Sequence, residues 1–379
     1  MARNFPVTPP TNGSGPRPEP GARAGIGGAW APSTVLVTGG AGFVGSLTCT
    51  ELLDHGYEVI VVDDYSNSTP QVFARVERIA GRFVGAVYEL DIRDRRALSA
   101  VFDRHSVDAV VHFAAHKAEG RSTRMPVQYH DTNVGGTTAL LSTMHEHGVH
   151  RLVYHSSYAL YGNAGPGPLD ERTPVSPLTP YALSKWLSEQ ILTDVCRHCP
   201  QCTVVCLRCA TPAGAHPSGL LGEDPHHAPD SLLPHIAQVA AGRREQVPVC
   251  GGDLPTRDGT TVRDYLHVMD AVEAHRLALD HLADGPGMTV YNLGRGEGSS
   301  TLDVVAAFGA ASGRPVPYGV VSGRSGAVPE LITDSTALTR AWGWRPTRTL
   351  TDVCRDAWHF QRHNPDGYAD SARRPGPKG

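Results

Sequence analysis

The sequence predicts an α/β fold in which a doubly wound parallel sheet carries helices on both faces. From Thr34 onward, short β-branched runs alternate with amphipathic stretches, which is the pattern of repeated βαβ units. The first run continues directly into a glycine-rich segment, GGAGFVGS, at the start of the next helical stretch. After residue 210 the alternation loosens and Pro, Gly and His become frequent. A smaller carboxyl-terminal α/β lobe is therefore expected to follow the sheet.

Six strands and their intervening helices account for the first lobe. The strands are, in order, TVLVT, EVIVVD, AVYELD, DAVVHFA, RLVYHSS and TVVCLRC. The helical stretches include GSLTCTELLDHG, RALSAVFDRHS, GTTALLSTMHEHG and YALSKWLSEQILTDVCRH. Beyond them, LHVMDAVEAHRLALDHLA and TLDVVAAFGAASG predict further helices, and TVYNLG a further strand.

The glycines after the first strand predict a dinucleotide site. Gly39, Gly42 and Gly45 lie three residues apart, where a tight turn, close approach to a pyrophosphate and close helix–strand packing each exclude a side chain. The second strand ends at Asp63, whose carboxylate can bind the adenosine ribose. Asp64 follows and no Arg does, so the expected cofactor is NAD rather than NADP.

The expected domain organisation follows from these elements. We predict a Rossmann-type NAD-binding domain at residues 33–210 and a mainly substrate-binding lobe at 211–368, from which some segments return to the first sheet. The Pro- and Gly-rich ends, residues 1–32 and 369–379, are predicted to be disordered.

Composition excludes several partners. The chain has 379 residues, 40% hydrophobic residues and a net charge of −4, so a nucleic-acid partner is not expected. No apolar run reaches the roughly 18 residues of a membrane span, and the amino terminus lacks a signal-peptide core. We therefore expect a cytoplasmic protein with no membrane partner.

A Tyr and a Lys one helical turn apart predict the catalytic base. Tyr181 and Lys185 lie on one face of the predicted helix YALSKWLSEQ, and a nearby ammonium can lower the pKa of a phenol. The chain has only three lysines, Lys117, Lys185 and Lys378, among 34 basic residues, which favours a chemical role for the internal ones. Ser157, at the end of the fifth strand, can hydrogen-bond the same substrate hydroxyl. Alternatively, Ser157 is a loop-capping serine.

Five cysteines in CRHCPQCTVVCLRC leave two interpretations. Cys196, Cys199, Cys202 and Cys206 match the spacing of a bacterial iron–sulfur run. They also span a helix end, a turn and a buried strand, where free thiols are common. We prefer the second interpretation and expect no metal; brown colour or bound zinc in the purified protein would reverse it.

These motifs resemble those of the UDP-glucose 4-epimerase family, which is an extended short-chain dehydrogenase/reductase family. The resemblance runs from Thr34 to Tyr368 and includes VLVTGGAGFVGS, HFAAHKAEG, YALSK, GAHPSGLLGEDP, DGTTVRDYLHVMD and WGWRPTRTL. It implies a homodimeric isomerase that keeps NAD tightly bound. In the implied reaction Tyr181 removes the proton of a sugar 4-hydroxyl, and a transient 4-keto sugar turns over before it is reduced on its other face.

The resemblance also implies the site residues. Those expected at NAD are Gly39, Gly42, Phe43, Val44, Gly45, Asp63, Asn67, Ser68, Asp91, Ile92, Phe113, Ala114, Ala115, Lys117, Thr132, Tyr181 and Lys185. Those expected at a nucleotide-diphosphate sugar are Ser157, Tyr158, Cys209, Ala210, Thr211, Ser231, Leu232, Cys250, Arg263, Arg324, Ala327 and Leu331. Tyr158 and Ala159 stand where related 4,6-dehydratases carry an acidic pair, so dehydration is not expected.

The substrate side departs from the family. Cys209, Ala210 and Thr211 replace a usual Tyr-Phe-Asn, Cys250 replaces an aromatic that stacks on uracil, and Ser231, Ala327 and Leu331 are also changed. Removing two rings and an amide is expected to leave a cavity on the order of a few hundred Å³. We therefore hypothesise a non-UDP or bulkier-than-hexose sugar nucleotide of secondary metabolism, such as antibiotic biosynthesis. The alternatives are an ordinary UDP-glucose/UDP-galactose 4-epimerase, a net NAD-dependent sugar-nucleotide oxidoreductase, and a non-catalytic nucleotide-binding regulator.

Overall fold

The computed structural model describes residues 33–225, 231–321 and 328–368. The two ends that the sequence predicts to be disordered lie outside these ranges. The helices and strands of the first part are β1 (Thr34–Thr38), α1 (Phe43–Asp54), β2 (Glu58–Asp63), α2 (Val72–Ala80), β3 (Ala86–Glu89), α3 (Arg95–Arg104), β4 (Ala109–His112), α4 (Glu119–Ser122), α5 (Pro126–His130), α6 (Gly136–Glu146), β5 (Arg151–Ser157), β6 (Pro168–Leu169), α7 (Pro180–His198) and β7 (Thr203–Cys209).

The remaining elements alternate less regularly. They are β8 (Thr211–Ala213), α8 (Leu232–Ala240), β9 (Val247–Cys250), β10 (Val262–His267), α9 (Val268–Asp280), β11 (Gly287–Leu293), β12 (Gly298–Ser300), α10 (Thr301–Ser312), β13 (Tyr318–Val321), β14 (Glu330–Thr333), α11 (Thr336–Trp342) and α12 (Leu350–His363). Within the described ranges, no helix has both the length and the apolar content needed to cross a membrane.

A seven-stranded parallel sheet forms the centre of the molecule, in the order β11-β7-β5-β4-β1-β2-β3. The predicted doubly wound α/β fold is confirmed, and β1, β2, β5 and β7 have the predicted bounds. The seventh strand, β11, comes from the carboxyl-terminal half and pairs with β7 from Gly287↔Thr203 to Leu293↔Cys209. The division of the chain at residue 210 stays a prediction.

Both faces of this sheet are buried because helices cover each of them, and successive strand residues point to opposite faces. Val35 and Val37 of β1 pack with α1, α2 and α9 on one face. Leu36, between them, packs with α3, α6 and α7 on the other. The parallel strands therefore read as continuous apolar runs, and the chemistry-bearing residues follow at their carboxyl ends.

The second lobe lies beyond the carboxyl ends of β5 and β7. Its sheet has the order β12-β10-β14-β6, with β8 also paired to β10, and β13 pairs separately with β9. Helices α8, α10 and α12 supply most of its apolar core. Since β8 begins two residues after β7 ends, the wall of the intervening crevice is a direct continuation of the central sheet.

A buried ion pair connects the catalytic elements. The guanidinium of Arg208 on β7 donates to the Glu189 carboxylate on α7, with an Nη2–Oε2 distance of 2.7 Å and an Nε–Oε1 distance of 3.1 Å. Glu189 also accepts from Ser156 Oγ of β5 at 2.5 Å. Arg208 Nη1 donates to the Tyr161 hydroxyl at 3.0 Å, and that hydroxyl donates to Asn292 Oδ1 of β11 at 2.7 Å. Strands β5, β7 and β11 and helix α7 are thus tied together by one hydrogen-bonded network.

Glu189→Gln tests this network because it keeps the side-chain size but leaves the Arg208 charge without its buried partner. Removing one member of a buried pair costs about 3–5 kcal/mol of the free energy of unfolding, to be measured by urea unfolding. Arg172→Gln is the matched control, since Arg172 pairs with Asp170 at the surface and should change stability little. Equal effects of the two substitutions would contradict the importance given to the buried pair.

Candidate active site

The turn between β1 and α1 has no room for side chains at two of its glycines. Gly39 has a φ of +70°, and a Cβ there would lie 2.7 Å from the Ala114 backbone nitrogen. A Cβ on Gly45 would lie 2.1 Å from the Gly39 carbonyl oxygen. Gly42 donates its own N–H to that carbonyl at 3.1 Å. The three predicted glycines therefore build one tight turn under the sheet's carboxyl edge.

Helix α1 begins at this turn with its amide groups available. Its N-cap, Gly42, provides no side-chain acceptor for the first-turn N–H groups, so they can receive an anionic ligand. Phe43 and Val44 are half-buried against the central core. The turn and the helix end fit the pyrophosphate of a dinucleotide.

Asp63 holds the end of β2 beside this turn. Its Oδ2 accepts from the Ala41 N–H at 2.9 Å, and its Oδ1 accepts from the Tyr65 N–H at 2.9 Å and Ser68 Oγ at 2.7 Å. Burial raises the pKa of Asp63 above its usual value, and the hydrogen bond from Ser68 opposes this. Ser68 thus orients the carboxylate that is predicted to bind ribose, while Asn67 is exposed nearby in sequence.

The residues predicted to flank the adenine end differ in exposure. Asp91 is held by Arg93, with an Nε–Oδ1 distance of 3.0 Å, and the hydrogen bond from Arg93 lowers the pKa of Asp91. Ile92 is buried, and a Cβ added to Gly136 would approach its Cγ2 to 2.6 Å. Thr132 lies in a short π-helical turn between α5 and α6. Its neighbour Asn133 is buried and bonds both backbone groups of His116.

The segment after β4 passes over the glycine turn. Phe113 donates its N–H to the Thr38 carbonyl at 3.0 Å, which brings Ala114 and Ala115 to the same edge. Lys117 then reaches the second lobe, where its Nζ lies 2.5 Å from Glu223 Oε1. This internal lysine therefore connects the two lobes across the crevice.

Tyr181 and Ser157 meet at the carboxyl edge of the sheet. Tyr181 lies in the first turn of α7, which Thr179 caps by accepting from the Ala182 N–H at 3.2 Å. Ser157 Oγ accepts from the Ala159 N–H at 3.2 Å and hydrogen-bonds the Tyr181 side chain. Both the capping and the catalytic interpretation of Ser157 are thus compatible with one geometry.

Burial opposes the lowering of the Tyr181 pKa that the sequence predicts from the nearby Lys185 charge. Burial raises the pKa of Tyr181 above its ordinary value, and the Ser157 hydrogen bond only partly opposes this. Lys185 Nζ instead donates to the His155 carbonyl at 2.7 Å. Burial lowers the pKa of Lys185 itself to about 8. The prediction considered the charge but not the removal of both groups from water.

Two histidines beside Lys185 were missed from the sequence. His155 Nδ1 lies 3.0 Å from His275 Nε2, and His275 Nδ1 lies 2.7 Å from the Ala271 carbonyl oxygen. Because a carbonyl only accepts, His275 carries its proton on Nδ1 and accepts from His155 through Nε2. Burial lowers the pKa of His275 to about 4, so this pair is neutral near pH 7. The sequence signal of His155, a polar residue within an apolar strand, was weak.

Tyr158 closes the crevice wall that the small residues Ala210 and Thr211 form after β7. Its hydroxyl lies 2.6 Å from Thr211 Oγ1, and its ring packs in a buried cluster with Ala210 and Leu331. Cys209 is buried in the central core. The expectation of an enlarged cavity here is not supported, because the large Tyr158 ring, which directly follows β5, packs against Ala210 between β7 and β8 and bonds Thr211 at the start of β8.

The remaining predicted substrate residues line the second lobe. Arg263 Nη2 donates to the Val328 carbonyl at 2.9 Å, and its charge lowers the pKa of Tyr158 against the raising effect of burial. Ser231, at the start of α8, donates to Glu223 Oε1 at 2.8 Å, and Leu232 follows it. Cys250 is half-buried at the end of β9. Arg324 and Ala327 lie outside the described residues.

The fold and the glycine turn define a dinucleotide-dependent enzyme of the extended short-chain dehydrogenase/reductase class. Residues 35–294 match the NAD dependent epimerase/dehydratase family, and the chain belongs to that family. It is 45% identical over 349 residues to a UDP-glucose 4-epimerase of Drosophila melanogaster, covering 90% of this chain and 99% of the relative. It is 44% identical over 337 residues to the Yersinia pestis UDP-glucose 4-epimerase, covering 89% and 99%.

Solved structures agree with this assignment. The UDP-glucose 4-epimerase of Bifidobacterium longum, in complex with NAD⁺ and UDP, superposes with a TM-score of 0.86 at 43% identity, covering 88% of this chain and 99% of that one. The Stenotrophomonas maltophila enzyme, with NAD and formylated UDP-arabinopyranose, gives a TM-score of 0.85 at 43% identity with the same coverage. The chain is thus an NAD-dependent 4-epimerase of nucleotide sugars.

Gly45→Ala tests the fit of the glycine turn. The added Cβ meets a backbone oxygen that cannot move independently, so we expect NAD retention to fall at least tenfold, measured by the NAD released from denatured protein. Gly309→Ala in α10 is the control, because its Cβ would approach nothing closer than 3.6 Å. Retention of NAD by the Gly45 variant at the level of the control would show that the turn tolerates a side chain.

Lys185→Met separates catalysis from stability. The pKa of Lys185 falls from 10.5 to about 8 on burial, so the unfolded chain binds more protons between those pH values and stability rises with pH there. At pH 7 the lysine is charged in both states, and its removal should add up to about 3 kcal/mol to the free energy of unfolding while activity is lost. The gain should shrink as pH rises from 8 toward 10. The control, Lys117→Met on an exposed lysine, should show neither the gain nor its decline with pH.

Proposed function

We propose that this enzyme interconverts UDP-glucose and UDP-galactose. The observation that carries the proposal is the closed wall beside the carboxyl ends of β5 and β7. Tyr158 packs there with Ala210 and Leu331, and its hydroxyl bonds Thr211. The small residues Ala210 and Thr211 therefore give no reason to expect a sugar larger than a hexose. Relatives matched over nearly their whole length are named as UDP-glucose 4-epimerases, which supports the same substrate.

In the proposed reaction, NAD supplies a reversible hydride acceptor at C4 of the sugar. Tyr181 takes the proton from the 4-hydroxyl and later returns it to the 4-keto oxygen. Ser157, hydrogen-bonded to Tyr181, orients the same hydroxyl. Because burial raises the pKa of Tyr181, the phenol holds its proton firmly until it is near positive charge, and buried Lys185 is positioned one helical turn away to supply part of it.

The buried position of the pair also serves the chemistry. Tyr181 is 9% exposed and Lys185 is 3% exposed, so bulk water has little access to a transient ketone there. Lys185 Nζ is fixed by the His155 carbonyl, and His155 is in turn held by His275. We assign His155 and His275 a positioning role.

Nucleotide binding falls to the second lobe. Arg263 is proposed to bind the diphosphate, because its charge lies close to Tyr158 at the wall and guanidinium donors suit phosphate oxygens. Ser231 is proposed to contribute to nucleotide binding through the Glu223 carboxylate, to which it donates a hydrogen bond and with which Lys117 forms an ion pair. Cys250 stands where the family has the aromatic residue that stacks on uracil. For this reason the experiment below includes nucleotides with other bases.

We also propose that the enzyme acts in the cytoplasm as a homodimer. Leu183 and Leu187 of α7 and Val127 of α5 are exposed apolar side chains. Leu187 borders a groove of about 450 Å³ together with Val134 and Ala139. A second copy of the chain that packs its own α7 against this face would bury these side chains.

A panel of nucleotide sugars tests the proposed substrate. The NAD-loaded enzyme would be incubated separately with UDP-galactose, TDP-galactose, GDP-galactose and UDP-N-acetylgalactosamine. The 4-epimer formed from each would be quantified by chromatography. We expect kcat/KM for UDP-galactose to exceed every other value by at least tenfold. Tyr158→Ala, which opens the wall, should raise the relative rate with the N-acetyl sugar.

Three outcomes would contradict the proposal. Preference for another base would restore the non-UDP hypothesis, and preference for the larger sugar in the wild-type enzyme would show that the wall is open. Accumulation of NADH in proportion to substrate would identify a net oxidoreductase.

Tyr181→Phe tests the proposed base. The substitution should reduce turnover at least 10³-fold while NAD stays bound, and an unaffected rate would exclude Tyr181 as the base.

A further inference from the structure

Two cysteines and two histidines converge at the amino edge of the central sheet. Cys199 directly follows α7 and Cys202 precedes β7, while His145 lies in the last turn of α6 and His150 precedes β5. The ligand atoms of His145, His150 and Cys199 all lie within 4.8 Å of one another. Cys202 Sγ lies 2.7 Å from Cys199 Sγ and 3.9 Å from His150 Nδ1.

This cluster differs from the iron–sulfur run considered in the sequence. Cys206 lies within β7, fully buried, and interacts with Glu189 and Ser156. Cys209 lies at the opposite, carboxyl edge. Only part of the cysteine run therefore reaches the cluster. The other members of the cluster are two histidines about fifty residues earlier in the chain, and spacing in the sequence could not predict that they lie beside the cysteines.

We propose that Cys199, Cys202, His145 and His150 bind one Zn²⁺ ion. The two segments have the spacings C-x2-C and H-x4-H, which are usual for tetrahedral zinc sites with two thiolates and two imidazoles. In such a site neighbouring ligand atoms are about 3.3–3.8 Å apart, as bond lengths of about 2.3 Å to sulfur and 2.0–2.1 Å to nitrogen require. The two sulfurs must separate by about 1 Å from their present contact, and the ligand atoms that lie up to 4.8 Å apart must approach one another. Side-chain rotation can provide both changes.

The donor set selects the metal. Thiolate and imidazole together favour Zn²⁺ over Mg²⁺ or Ca²⁺, which prefer oxygen ligands. Binding displaces the thiol protons of Cys199 and Cys202 into solvent and leaves both histidines neutral. His145 is exposed and the other three side chains are half-buried, so the ion can enter from solvent.

The ion would fasten the elements that carry the catalytic residues. The His150 carbonyl accepts from the Thr203 N–H at 2.8 Å, so His150 and Cys202 precede paired positions of β5 and β7. Ser157 lies at the other end of β5, about 20 Å away at the usual rise per residue, and Tyr181 at the other end of α7. The proposed ion is therefore structural and takes no part in proton transfer.

Metal content and thermal stability test the site. Untagged protein, reduced with a thiol-free reductant and incubated with Zn²⁺ alone, should retain about one zinc per chain after desalting, measured by plasma mass spectrometry. Co²⁺ in place of zinc should give thiolate charge-transfer absorption and tetrahedral ligand-field bands. Zinc should raise Tm by about 5 °C over chelator-treated protein, with the epimerisation rate at 25 °C unchanged.

Matched variants separate this site from adventitious binding. Cys199→Ser and His150→Ala should lose the zinc, the cobalt spectrum and the Tm shift, whereas Cys196→Ser and His198→Ala, on the same stretch of α7, should keep them. The proposal is overturned if the wild type retains no more zinc than Cys199→Ser, or if both control variants lose zinc equally. It is also overturned if Cys199 and Cys202 form a disulfide and the protein still binds no metal after that disulfide has been reduced.

Discussion

The buried ion pair between Arg208 and Glu189 is the constraint on which the active site depends. Three members of this network lie close in sequence to a residue of the site: Ser156 precedes Ser157, Arg208 precedes Cys209, and Glu189 lies one helical turn after Lys185. A charge pair in a low-dielectric interior tolerates little displacement, since each lost hydrogen bond leaves an unsolvated charge. The relative positions of β5, β7 and α7 are therefore fixed by electrostatics beneath the crevice, and the residues facing the crevice are free to serve binding and chemistry.

The sequence predicted the parts of this structure that local signals determine. Continuous apolar runs gave β1, β2, β5 and β7 with their observed bounds, and Gly39 and Gly45 identified the turn because no side chain fits there. Tyr181 and Lys185 were found since their spacing is helical. Glu189 extends that same spacing by one more turn and could have been found with them. Arg208 and the wall-closing role of Tyr158 could not, because their partners come from other strands and only the tertiary fold brings them together.

Burial acts on the catalytic pair in opposite directions. It raises the pKa of the Tyr181 phenol and lowers the pKa of the Lys185 ammonium, because in each case it disfavours the charged form. The sequence argument considered the positive charge near the phenolate, but not this burial, which shifts the pKa of Tyr181 in the opposite direction. At pH 7 the Tyr181 phenol is therefore neutral, whereas Lys185 still carries its charge beside it. The neutral His155–His275 pair adds no competing charge beside Lys185.

The position of β11 has a consequence for how the chain is made. This strand covers the edge of β7 along its whole length, from Gly287↔Thr203 to Leu293↔Cys209, yet it is synthesised only after β8, α8, β9, β10 and α9. During translation the outer edge of β7 therefore stays unpaired until β11 has been synthesised. Open parallel edges of this kind are places where nascent chains associate wrongly. A protein truncated before residue 287 would therefore keep its complete glycine turn and its Tyr–Lys pair and still be prone to aggregate.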